Sequence, residues 1–65
     1  MKSFDLNSKK AVNPATYKQI KYAEQLAEKT GSKLPNTSQM MKYCDSKVMS
    51  ECIDAMKAGE QIELS

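Results

Sequence analysis

The sequence predicts an all-α fold: a compact three-helix module with helices over about 16–30, 38–44 and 47–58, a flexible N-terminal arm and a short C-terminal tail. Three observations lead there. One stretch carries both a helix-start and a helix-stop signal around a helical apolar period. Two shorter stretches repeat that period between Pro, Asn, Asp and Gly punctuation. At 65 residues the chain makes one domain with a thin core, which leaves room for help from a partner or from a second copy.

Residues 1–13 hold the isolated apolar side chains Phe4 and Leu6, then Asn7, Ser8, Lys9 and Lys10, with no helical period. They read as a flexible or loosely docked arm ahead of a single helical domain at 14–65. An alternative is that Phe4 and Leu6 alternate as in a short strand and pair with Ile62 and Leu64, which alternate the same way. Thr16 and Gln19 have the spacing of a capping box, with Ala15 and Ile20 at the staple positions. Tyr17, Ile20, Ala23, Leu26 and Ala27 then recur on one helix face. Gly31 supplies a left-handed stop, Lys29 suits the last turn, and Leu34 can fold back over the end.

Pro35 closes that element, and Asn36 or Thr37 can cap the second helix, which offers Met40, Met41, Tyr43 and Cys44 to the core. Asp45 or Ser46 breaks and recaps the chain through side-chain bonds to freed N–H groups. The third helix turns Val48, Met49, Cys52, Ile53, Ala55 and Met56 inward and ends at Gly59. Short connections argue against a crossover topology, so the first helix is expected to lie across the hairpin of the other two.

Function classes narrow quickly. The chain has no histidine, so it lacks the ordinary general base near neutral pH, the usual triads and an imidazole metal ligand. Cys44 and Cys52 do not have C-x-x-C spacing and read as buried thiols of a reducing compartment. The serines read as caps and loop residues, Glu51 and Asp54 as solvated charges, and the two glycines as helix stops rather than a phosphate loop. Four of the five methionines, at 40, 41, 49 and 56, fall at core spacing. No cofactor, metal, small-molecule substrate or catalytic residue is expected. Neither a signal peptide nor an apolar run of about 20 residues is visible, which points to the cytoplasm.

Charge is unevenly spread. Residues 1–33 hold seven lysines against three acids, a balance of +4, while residues 34–65 hold three lysines against five acids, a balance of −2. Every cation is lysine, which suits loose phosphate contact better than bidentate reading of base edges. Lys18, Lys21, Tyr22, Gln25 and Lys29 share the outward side of the first helix, and Lys9 and Lys10 can add to the same field. Ammonium groups neutralise phosphates and release counterions, while a tyrosine ring can stack on an unpaired base. The competing reading is a soluble helix face whose lysines are interrupted by Glu24 and Glu28.

The run Pro14-Ala15-Thr16-Tyr17-Lys18-Gln19, followed by Tyr22-Ala23, Leu26-Ala27, Gly31 and Leu34-Pro35, resembles a small module near the carboxyl ends of some bacterial and plasmid-borne type IA DNA topoisomerases. Similar segments occur in phage and plasmid proteins of DNA metabolism. Ser50-Glu51-Cys52-Ile53-Asp54 takes the place of that module's Ser-x-apolar-Ile-Asp end, so the likeness spans roughly residues 14–56. Ala15 intervenes between Pro14 and Thr16, and Cys52 replaces an aromatic. The catalytic topoisomerase portion has no counterpart here. The resemblance implies an accessory module that binds DNA weakly and non-specifically or brings a DNA-processing enzyme to it. The alternative is a protein-interaction module, an adaptor or inhibitor that docks through its apolar surface, and a homodimer is compatible with either.

Overall fold

A computed structural model describes residues 1–65 in the order β1 (Lys2–Phe4), α1 (Tyr17–Thr30), α2 (Thr37–Tyr43), α3 (Ser46–Lys57) and β2 (Ile62–Leu64). Helices take up 51% of the chain. The expected all-α class therefore needs correction: the fold is mostly helical, with a short two-stranded parallel sheet joining residues from opposite ends of the sequence.

Each helix begins and ends for a reason visible in its side chains. Thr16 caps α1 in an extended conformation, its Oγ1 accepting the Gln19 N–H at 3.1 Å while Gln19 Oε1 accepts the Thr16 N–H at 3.3 Å. Both arms of the expected capping box are thus present, and the staple residues Ala15 and Ile20 are buried. Gly31 closes α1 at φ 74°, and the Ala27 carbonyl accepts from both Gly31 and Ser32. Asn36 is the cap of α2, with Oδ1 accepting the Gln39 N–H at 2.9 Å. Asp45 occupies the cap position of α3 but makes no side-chain cap bond, contrary to the sequence reading. Beyond α3, Gly59 N–H bonds Met56 O and Glu60 N–H bonds Ala55 O, the paired bonds of a Schellman ending.

The amphipathic stripes meet inside one molecule. Ile20, Ala23 and Ala27 of α1 pack chiefly on α3, whose Met49, Cys52, Ile53, Ala55 and Met56 are buried, and to a lesser extent on α2, which contributes Met40. Cys44, just past α2, is buried as well. Two side chains assigned to the core are not there. Tyr17 is 56% exposed because the first turn of α1 lies at the border of the apolar stripe, and its ring instead sits beneath the Lys21 ammonium. Met41 is 44% exposed because a seven-residue helix turns only one narrow face inward, and Met40 holds that face.

The sheet pairs Lys2 with Ile62, Ser3 with Glu63 and Phe4 with Leu64. Parallel strands need a crossover, and here the three helices together are that crossover, so the short-connection argument against one fails. Ile62 and Leu64 are buried and Phe4 packs against the core from above. On the far side of β2, Lys33 N–H bonds Ile62 O at 2.9 Å and Leu64 N–H bonds Lys33 O at 2.9 Å. Ser32 Oγ accepts the Ile62 N–H at 2.9 Å, and Gln61 Nε2 donates to Gly31 O at 2.7 Å. The loop after α1 is thereby fastened to the last strand.

The segment between β1 and α1 is docked along its length. Asn7 N–H bonds Tyr43 O at 2.8 Å and Ala11 N–H bonds Lys42 O at 2.8 Å. Ala15 N–H bonds Cys44 O at 2.9 Å and Ser46 N–H bonds Asn13 O at 2.8 Å, around a bridge between Pro14 and Asp45. That bridge sets the starts of α1 and α3 side by side. Gln19 Nε2 spans them, donating to Ser46 O at 3.2 Å and Ser50 Oγ at 3.0 Å.

Candidate nucleic-acid interface

Burial of Ile20, Ala23 and Ala27 determines which side of α1 faces solvent. At 100° per residue the opposite side carries Lys18, Tyr22, Gln25 and Lys29, and all four are exposed. Lys18 and Lys29 bracket this strip over roughly 16 Å of helix axis, and no acid lies between them on it. Glu24 and Glu28 stand along one edge, beside Lys21.

Lys21 differs from its neighbours. Its Nζ lies 3.3 Å from Glu24 Oε1 and 5.5 Å from the centre of the Tyr17 ring. The hydrogen bond that Lys21 donates to Glu24, the Glu24 charge and the nearby Tyr17 raise the Lys21 pKa above its ordinary value. The other Glu24 oxygen, Oε2, accepts from Thr37 Oγ1 at 2.7 Å, so the carboxylate that holds Lys21 is anchored to α2. This is the only ion pair in the structure; the remaining lysines have no acidic partner within 4 Å.

Lys9 and Lys10 are exposed but sit elsewhere. They line a cleft at the start of α3 with Asn7, Ser8, Val12, Asn13, Asp45, Ser46 and Lys47, and no residue of the α1 strip lines it. The basic residues therefore fall into two groups, the strip on α1 and the cleft beside α3. Lys47 was missed as a partner for Lys9 and Lys10. It lies far from them in sequence, and backbone bonds from Asn7, Ala11 and Ala15 to residues 42–44, with the Asn13–Ser46 and Pro14–Asp45 contacts, bring the two segments together.

Both cysteines are free thiols and buried. Burial, then the Asp45 charge, pushes the Cys44 thiol up to about 11, and burial, then the nearby Cys44 and Glu51, pushes Cys52 up to about 12. Near neutrality both thiols are protonated and covered. No group of three or more Cys, Asp or Glu side chains is placed to hold a metal ion. No helix is long and apolar enough to cross a membrane. Comparison with known protein families, curated proteins and solved structures finds no match to this chain.

Proposed function

We propose that this protein is a non-enzymatic accessory module of mobile-element or phage DNA metabolism that binds DNA weakly and without sequence preference. The observation that carries the reading is the α1 strip. Lys18 and Lys29, neither of them in an ion pair, flank exposed Tyr22 and Gln25 on one solvent-facing line. Two free ammonium groups supply phosphate neutralisation, and the Tyr22 ring, 43% exposed, offers a stacking surface that favours single strands over duplex. The resemblance of residues 14–56 to the topoisomerase-associated module supports the same reading.

The rival reading, docking on a protein through apolar surface, has less to draw on. Met40, Met49 and Met56 and the stripe of α1 are covered within the molecule, leaving Met1, Val12, Tyr17, Tyr22 and Met41 as the larger apolar side chains free to contact another protein.

Fluorescence anisotropy with labelled single-stranded and duplex oligonucleotides, over a salt series, tests the proposal. Affinity should fall linearly with salt on logarithmic axes and be tighter for the single strand. Lys18→Gln with Lys29→Gln should weaken it and lower the slope by about 1.4 for single strands. No binding at low salt would remove the nucleic-acid reading.

A further inference from the structure

We infer that the cleft between the docked arm and the start of α3 is a second anion site, separate from the α1 strip, that takes a compact, multiply charged phosphate group. The open cleft has a volume of about 600 Å³ and is lined by Lys9, Lys10 and Lys47, with Asp45 as its only acid, a local balance of +2. None of the three lysines is in an ion pair, Asp45 included as a potential partner. Three lysines from two distant segments, none of them in an ion pair, thus line one concave space. A concave surface with that excess of positive charge attracts anions.

The walls suit the same ligand. Asn7, Ser8, Asn13 and Ser46 provide hydrogen-bonding groups that can meet phosphate oxygens, and Val12 is the single apolar lining residue. The arm is pinned on both sides of the lysine pair, by Asn7 N–H to Tyr43 O and by Ala11 N–H to Lys42 O, which holds Lys9 and Lys10 opposite α3 at little entropic cost on binding. The opening of α3 adds to the field. It has no acid in its first turn, and the Lys47 and Val48 amides have no acceptor from the protein, because Asp45 makes no cap bond.

Two sources offer this chemistry, a free polyphosphate and the 5′-phosphate end of a nucleic-acid strand. The site itself does not depend on the DNA-binding proposal; only the second source does. The test is an amide NMR titration of the full chain with sodium tripolyphosphate, then with 5′-phosphorylated and 5′-hydroxyl single-stranded oligonucleotides.

Tripolyphosphate should shift the amides of residues 8–10 and 46–49 and leave those of 18–29 in place. The triple change Lys9→Gln, Lys10→Gln, Lys47→Gln should weaken binding tenfold or more with an unchanged circular dichroism spectrum. Asp45→Asn, which keeps a residue suited to the cap position, should tighten it about threefold, and Lys42→Gln with Lys57→Gln should leave it as it is. A 5′-phosphate preference of fivefold or more identifies a strand end as the source, and equal affinities identify a free polyphosphate. Absent or scattered shifts, or tripolyphosphate binding insensitive to both the triple change and Asp45→Asn, would overturn the inference. Oligonucleotide binding to α1 with no cleft response to tripolyphosphate overturns this site alone, whereas a cleft response to tripolyphosphate with no DNA binding overturns only the proposed function.

Discussion

Glu24 decides how many lysines of α1 are available to phosphate, and removing its charge makes a quantitative prediction. Lys21 is held at 3.3 Å by Glu24 Oε1, so it contributes little counterion release while that pair stands. Glu24→Gln removes the negative charge and leaves an amide oxygen that can still accept from Thr37 Oγ1, preserving the α1–α2 contact now made at 2.7 Å. Each lysine that newly neutralises a phosphate of a single strand steepens the logarithmic salt slope by about 0.7. Over a fourfold rise in salt, that is an extra loss of about 2.5-fold in affinity per contact. Anisotropy titrations at several salt concentrations should therefore give Glu24→Gln a slope steeper than the parent by about 0.7. Lys18→Gln should be shallower by about the same amount, and Lys21→Gln in the parent background should change the slope far less. Equal losses for Lys18→Gln and Lys21→Gln would show that the ion pair does not withhold Lys21, and an unchanged slope in Glu24→Gln would refute the reasoning outright.

Three further outcomes concern the frame that carries these groups. Ile62→Ala removes a fully buried side chain and should cost about 2–4 kcal/mol; at roughly 7 °C per kcal/mol for a chain of this size, thermal melting should fall by at least about 14 °C. A change under 3 °C would mean that β2 is not part of the core. Gln19→Ala loses one arm of the capping box and both bonds to α3, for about 1–2 kcal/mol, whereas Gln19→Glu keeps the acceptor toward Thr16 and isolates the cross-helix share. Urea denaturation of the two variants separates these parts, and equal stability of Gln19→Glu and the parent would rule out a contribution from the α3 bonds. Finally, the folded-state pKa values of Cys44 and Cys52 are raised from 9.0 to about 11 and about 12. Their contribution is therefore full below pH 9 and is lost as pH rises toward 11–12. Denaturation across that window should show an alkaline loss on the order of 3–4 kcal/mol per thiol, much reduced in Cys44→Ala with Cys52→Ala; an identical pH profile in the double variant would contradict the burial of these thiols.

The helical part was legible because its signals are local. Thr16 and Gln19 are three residues apart, Gly31 acts on the turn just before it, and Asn36 caps the helix that starts beside it. Each boundary lay within one residue of its expected place for that reason. The α1 strip was equally legible, since its exposure follows from the burial of Ile20, Ala23 and Ala27 on the other side. Tyr17 and Met41 were misassigned because helical periodicity marks a face without saying how far a neighbouring surface extends over it.

Properties that depend on separation along the chain were a different matter. Three alternating residues at each end are too few to distinguish a strand from a coil, and pairing Phe4 with Leu64 becomes favourable only once the packed helices bring the two segments together. The same holds for Lys47, which meets Lys9 and Lys10 only through backbone bonds linking Asn7–Asn13 to the region around α3. By itself the sequence determined three helices, their ends and the solvent face of α1, because caps, stops and periodicity act within a turn or two. The parallel sheet and the cleft beside α3 were decided by tertiary structure, because each depends on groups tens of residues apart in the chain, about sixty for the strand pairs, being held together by the shared core.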